Sequence, residues 1–208
     1  MLPSSQQRVA KRKGIGTMAS ARIFGALPTL ETGRLLLRKM QMDDLDDYYA
    51  YVSQPEIARY NSWHPPRSLA ECREFFRIRV IERYKGMQPT PWGVVDKKTG
   101  RLVGQCGFTQ WYPGSMRAEI AYGISKAYWG KGYIPEAVRM VLAFGFRVLG
   151  VERIQAACMV ENVASERVMQ KVGMSFEEMQ REYSFVHDRY EDLKLYSIHR
   201  QDYLGIYT

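Results

Sequence analysis

The chain has 208 residues, 46% of them hydrophobic and 25% charged, with a formal net charge of +8. This fits one ordinary soluble domain with a sizeable core, and no apolar run approaches the roughly 18–20 residues of a membrane-spanning helix. Cys72, Cys106 and Cys158 are odd in number and far apart, with no CxxC pair. That speaks against a disulfide framework or a paired-cysteine metal site and for a reducing, cytoplasmic compartment.

Residues 1–30 carry Arg8, Lys11, Arg12, Lys13 and Arg22 and no acid, which leaves +3 on residues 31–208. Much of the charge therefore sits on a tail, read as a flexible basic extension able to touch nucleic acid or an anionic surface. Met18 offers an alternative start. The stretch lacks the apolar region of a secretory signal and the clear amphipathic periodicity of a mitochondrial presequence.

Residues 31–208 are expected to form one domain. Arg34-Leu35-Leu36-Leu37-Arg38 reads as a short strand. Asp43-Asp44 open a helix with Leu45, Tyr48, Tyr49 and Val52 at helical spacing, and Pro55 follows it. Ser68, with Glu71 three residues on, signals a capping box for a helix running to about Lys85-Gly86. Three strand-like runs come next: Trp92 to Asp96, Leu102 to Trp111 and Ala118 to Ser125. The turns Lys97-Lys98-Thr99-Gly100 and Pro113-Gly114 separate them, so an antiparallel meander is predicted. From Ile134 the apolar positions change to helical spacing, through Val138, Val141, Leu142 and Gly145 to Leu149, with Gly150 as the stop. A strand at Arg153 to Met159 and a helix at Asn162 to Lys171 follow, with Gly173 as its C′ residue. Strands at about Phe176–Val186 and Tyr190–His199 close the series. A meander followed by crossover helices means a mixed, mostly antiparallel α+β sheet of about seven strands flanked by about four helices.

The strand ending near Ser125 leads through Gly130-Lys131-Gly132 into the long helix. No Ser, Thr, Asp or Asn occupies the usual N-cap position, so the first N–H groups lack an obvious side-chain partner. Two glycines let the backbone turn tightly and approach a ligand closely, Lys131 adds a cation, and Pro135 suits a first turn. Free N–H groups at the positive helix end beside a lysine make an anion site, and a diphosphate is the obvious occupant. The plainer alternative is a glycine turn capped by water. Neither GxxxxGK[ST] nor GxGxxG occurs.

With its surroundings, this turn resembles the coenzyme motif of the GNAT superfamily, in its ribosomal-protein N-terminal acetyltransferase branch (RimJ/RimL type). Three stretches carry the likeness: Arg34 to Arg38 as the opening strand, Glu119-Ile120-Ala121-Tyr122-Gly123-Ile124 with Tyr128-Trp129-Gly130-Lys131-Gly132-Tyr133 as the acetyl-CoA motif, and Asn162-Val163-Ala164-Ser165 with Lys171-Val172-Gly173-Met174 as the second motif. The resemblance covers about Glu31 to Leu204. It implies a GNAT fold and an acetyl-CoA-dependent transfer to a primary amine. Backbone N–H groups of Gly130, Lys131, Gly132, Tyr133 and Ile134, with Trp129 beside them, would hold the pyrophosphate. The Ile124 and Lys126 backbone would pair with the pantetheine arm, and an N–H near Ile124 would polarise the thioester carbonyl. Asn162 and Ser165 would reach the pantetheine or the reaction centre, or would only cap their helix.

Glu119 is the first candidate for general base, since Ala118-Glu119-Ile120 resembles the base-bearing strand of the histone-acetylating branch. An exposed strand glutamate paired with Arg117 or a neighbour is the alternative. Glu182 is the second candidate. The position matching the ribosomal branch's acid is Ser184, so Glu182 qualifies through sharing a strand face two residues away. The tyrosine acid of many members corresponds to Met169, and Ser165 is the branch's substitute. His64, His187 and His199 show no ligand spacing, so no metal is expected. His64, in Trp63-His64-Pro65-Pro66, falls in the acceptor region of the family.

The resemblance implies a protein N-terminal α-amine as acceptor and, as in many members, a homodimer. A small amine such as an antibiotic, polyamine or amino acid is the alternative acceptor. A non-catalytic acyl-CoA-binding module using its basic tail on RNA is the third reading.

Overall fold

The computed structural model describes residues 23–207. One eight-stranded sheet organises the chain, in the order β1-β2-β3-β4-β5-β6-β8-β7. β1 (Leu30–Glu31) and β2 (Leu35–Arg38) form a short hairpin, and β3 (Trp92–Asp96), β4 (Arg101–Tyr112) and β5 (Arg117–Ile124) form the predicted meander. β6 (Arg153–Met159), β7 (Ser175–Val186) and β8 (Arg189–His199) complete the sheet. Every pairing is antiparallel except β5 with β6. The fold is the expected mixed α+β type. The eighth strand is β1, two residues too short to leave a period in the sequence.

The helices fall where apolar spacing places them. α1 (Leu45–Val52) buries Leu45, Tyr48, Tyr51 and Val52, and α2 (Pro55–Ala58) is a single turn opened by its proline. α3 (Leu69–Phe76) starts at Ser68, whose hydroxyl accepts from Glu71 N at 3.1 Å. The reciprocal bond goes one residue further back, from Arg67 N to Glu71 Oε2 at 2.9 Å, so only half of the predicted capping box forms. The ladder widens to π spacing over Arg77–Ile81 and closes again over Glu82–Lys85. α4 (Tyr133–Phe144) buries Ile134, Val138, Val141 and Leu142 and continues as a π segment, Gly145–Leu149, to the left-handed Gly150. α5 is Val163–Lys171. α6 (Arg200–Tyr207) was not foreseen; it docks through Tyr203, whose ring lies 4.8 Å from that of Phe146.

The expected boundary near Glu31 moves. Phe24 and Leu27 are buried, and the Phe24 ring lies 6.3 Å from Phe108. Trp92 Nε1 donates to the Pro28 carbonyl at 2.7 Å. Residues 23–30 thus belong to the folded body, because an apolar segment beside an indole donor gains more from burial than from solvent. The remainder of the expected basic extension, residues 1–22, lies outside the described residues.

One irregularity shapes the site. β5 and β6 share only three rungs, Arg117↔Arg153, Ala118↔Ile154 and Glu119↔Gln155, although β5 continues to Ile124 and β6 to Met159. At that level β4 bulges: Phe108 faces Ile120 and Gln110 faces Glu119, which leaves Thr109 extra. A bulge adds local twist, and the two parallel strands part there, opening a gap in the sheet.

Candidate active site at the β5–β6 gap

Alternation along β5 assigns its two faces. A Cβ on Gly123 would lie 2.2 Å from Tyr51 Oη, so Gly123, Ala121 and Glu119 face α1. Tyr122 faces the other way, with its hydroxyl 3.0 Å from both the carbonyl and the Oγ of Ser165 on α5.

Glu119 stands at the closed end of the gap, half buried. Its Oε1 accepts from Gln155 Nε2 at 2.8 Å and from Tyr112 Oη at 3.2 Å. Burial and the Glu119 charge push the Tyr112 phenol up, so it remains a donor. Glu119 is therefore paired with neighbouring neutral donors and not with Arg117, whose guanidinium lies 5.5 Å from the Tyr112 ring centroid. Gln155 and Tyr112 went unnoticed in the sequence. Gln155 is 36 residues downstream of Glu119, and only a parallel pairing brings it alongside.

At the other end of β5, Ser125 N–H donates to Val103 on β4 at 2.8 Å. Neighbouring strand residues send their N–H groups to opposite edges, so the Ile124 N–H faces the gap. The Ile124 carbonyl accepts from Trp129 Nε1 at 2.9 Å. Lys126 departs from expectation. Its N–H donates to Gln54 Oε1 at 2.9 Å, and its carbonyl accepts from Trp129 N at 3.0 Å. That backbone already has internal partners, so Ile124 is the better placed of the two to meet a ligand.

The glycine turn is open. Gly130 and Gly132 have φ of 72° and 75°, and a Cβ on Gly130 would meet nothing within 4 Å. Gly132 is the N-cap of α4. Among the described residues no side chain caps the start of this helix, and such an end suits an anion. Lys131 contributes less directly, since its ammonium lies 5.4 Å from the Tyr128 ring centroid. The turn is braced from behind. Arg34 Nη1 donates to the Lys131 carbonyl at 2.8 Å, Arg34 Nε donates to Glu136 Oε2 at 2.7 Å, and Thr32 Oγ1 donates to Glu136 Oε1 at 2.6 Å. Burial would raise the Glu136 carboxyl, but the bonds from Thr32 and Arg34 outweigh it and hold it below the usual range. Arg34 and Glu136 were legible only as a strand end and a first-turn acid.

Asn162 caps α5, with Oδ1 accepting from Ser165 N at 3.1 Å. Glu182 is not brought to this site by strand alternation. It is exposed, with φ of 48°, inside a bulge between Gln180 and Ser184, so the face it was expected to share with Ser184 is interrupted. His64 and His187 meet at 5.0 Å between ring centroids, where the β7–β8 turn reaches the α2–α3 connection. Among the described residues no group of three or more His, Cys, Asp or Glu is arranged to hold a metal, and no helix is long and apolar enough to cross a membrane.

A split between parallel strands, a carboxylate at its closed end and a glycine turn without a side-chain cap make up the candidate site. Residues 34–175 match the model of the GNAT acetyltransferase domain, and the chain belongs to that family as an N-acetyltransferase. Over 179 residues it is 31% identical to the uncharacterised N-acetyltransferase p20 of Bacillus licheniformis, covering 86% of this chain and all of that protein. A GNAT acetyltransferase structure from Bacillus anthracis superimposes with a TM-score of 0.73 at 26% identity, covering 84% of this chain and 99% of that one. The ribosomal-protein-serine acetyltransferase of Escherichia coli is 27% identical over 100 residues, 48% of this chain and 56% of that protein.

Proposed function

We propose that the enzyme moves the acetyl group of acetyl-CoA directly to a protein N-terminal α-amine of the ribosomal-protein class, in a ternary complex, with Glu119 as the base. The observation that carries this is the half-buried Glu119 carboxylate at the closed end of the β5–β6 gap, held through one oxygen by two neutral donors. A free α-amine has a pKa near ~8, so a single carboxylate, acting directly or through water, suffices to take its proton. A lysine amine, near ~10.4, would need further help. The likeness to the ribosomal-protein-serine acetyltransferase of E. coli supports the same acceptor class.

Acetyl-CoA supplies the acetyl group as a reactive thioester. The N–H groups of Gly132, Tyr133 and Ile134 at the start of α4 bind its diphosphate, and Arg34 keeps the Glu136 charge neutralised beside them. The Ile124 N–H bonds the thioester oxygen, where negative charge develops. Glu119 takes the amine proton, and Gln155 and Tyr112 fix the carboxylate that receives it.

The test is thiol release from acetyl-CoA with ribosomal N-terminal peptides, the same peptides with blocked α-amines, and spermidine. Release is expected only with the free α-amine peptides. Release with spermidine and none with peptides would overturn the acceptor reading.

A further inference from the structure

Beyond the last β5–β6 rung, Tyr122 meets Ser165 on the face opposite Glu119. Tyr122 Oη lies 3.0 Å from both the Ser165 carbonyl oxygen and Ser165 Oγ. Cys158, on the diverging β6, is buried. The Asn162 cap fixes the Ser165 backbone. Met169, which stands where an acid was sought, is fully buried in the core and offers no proton.

Tyr122 carries one proton and has two acceptors at equal distance. When its proton lies on the carbonyl, the Ser165 hydroxyl donates to the phenol oxygen and both groups are satisfied internally. When it lies on Ser165 Oγ, the Ser165 proton must turn away from Tyr122. Burial pushes the Tyr122 phenol up, more than the Ser165 hydrogen bond lowers it, so the phenol stays protonated in both arrangements.

We propose that Tyr122 is a positioning residue that turns the Ser165 hydroxyl toward the sulfur of the departing coenzyme. This rests on reading the strand gap as the thioester site. As the C–N bond forms, the C–S bond breaks and sulfur keeps the electron pair. The amine proton goes to Glu119, and the thiolate is later protonated from solvent. Tyr122 passes no net proton; its hydrogen bond moves from the carbonyl to Oγ, and that of Ser165 moves from the phenol to the sulfur anion. A hydroxyl donating to an anion is stronger than the neutral bond it replaces, so the pair stabilises the thiolate over the thiol. The other charged neighbours are Glu166 on α5 and Lys194 on β8, which neutralise each other at 2.7 Å.

Ultraviolet titration of the coenzyme A thiolate in the complex tests this, with the desulfo-coenzyme A complex as blank. The protein's own thiols titrate higher, since burial pushes Cys72 and Cys158 up to about 11. In the wild-type complex the coenzyme thiol is expected to titrate about one pH unit below the free coenzyme. Tyr122→Phe keeps the ring and removes only the oxygen. That variant and Ser165→Ala should each return the thiol to the free value, with coenzyme affinity at neutral pH changed by less than about twofold. A lowered value that survives Tyr122→Phe but not Ser165→Ala overturns the role of Tyr122. A thiol that titrates identically in all three proteins overturns the proposal altogether. Absence of coenzyme binding by the wild type would instead overturn the site reading beneath it.

Discussion

At Gly132 the backbone sits at φ 75°, a conformation that costs an L side chain roughly 1–2 kcal/mol. A Cβ there would meet only Arg34 Nη2, at 3.6 Å, so the cost is conformational and not steric. Gly132→Ala should therefore weaken acetyl-CoA binding by about tenfold, the equivalent of about 1.4 kcal/mol. Gly150, at φ 66° with nothing within 4 Å of a Cβ, carries the same strain at the far end of the same helical run. Gly150→Ala should lower stability similarly and leave coenzyme affinity unchanged. Calorimetric titration decides the matter, and equal affinity loss in both variants would mean that the turn has no special contact with the ligand. At this scale the sequence was informative wherever a residue type carries its own geometry. Glycines on either side of Lys131, Asn162 before a helix and Ser68 before another were all readable. The donors on Glu119 were not, because Tyr112 and Gln155 reach it from two other strands and no local pattern marks such a meeting.

At the scale of elements, the β1–β2 hairpin braces the start of α4 through Arg34 and Glu136. Removing the arginine leaves the Glu136 carboxylate uncompensated beside the anion cradle. Arg34→Ala is expected to weaken acetyl-CoA binding by about fivefold, an effect that shrinks as salt screens the charge. A salt-independent loss would point to collapse of the turn instead. The same charges set the acid response. Lys194 and Tyr196 hold Glu166 below the usual carboxylate range. Burial would raise Glu177, but Ser197 and Arg153 outweigh it, as Thr32 and Arg34 do for Glu136. Each folded value lies below the unfolded one. The stability these groups contribute is therefore complete above the ordinary glutamate pKa of about 4.3 and is lost as pH falls through the lower folded values. Urea midpoints measured from neutral pH down to about pH 3 should decline in that window; a flat profile would contradict the pairings. Strand and helix order was legible because caps, turns and periodicity are local. The bulge at Thr109, the two-residue β1 and the bulge that displaces Glu182 depend on pairing partners far along the chain, which periodicity does not encode.

At the scale of the whole molecule, a parallel pair inside an otherwise antiparallel sheet creates the site. Occupying the gap should stabilise the fold as a whole. At a hundredfold excess over Kd, acetyl-CoA contributes about 2.7 kcal/mol, which for a domain of this size raises Tm by roughly 5–10 °C. Desulfo-coenzyme A should also stabilise, through the diphosphate cradle, though it offers Ile124 no thioester oxygen. No shift at saturating coenzyme would deny the cradle its ligand. The overall α+β architecture could be anticipated from a meander followed by crossover helices. The splay between β5 and β6 was not legible, since nothing in either strand's own sequence announces that pairing stops after Glu119.

The most direct measurement is turnover and acetyl-CoA affinity of Glu119→Gln, with a free N-terminal peptide as acceptor. Glutamine keeps the size of the side chain and removes its basicity. With Glu119 as the base, kcat is expected to fall by about 10²–10³-fold at neutral pH while Kd for acetyl-CoA stays within about twofold. Unchanged turnover with the same coenzyme affinity would contradict it and pass the proton to water or another group.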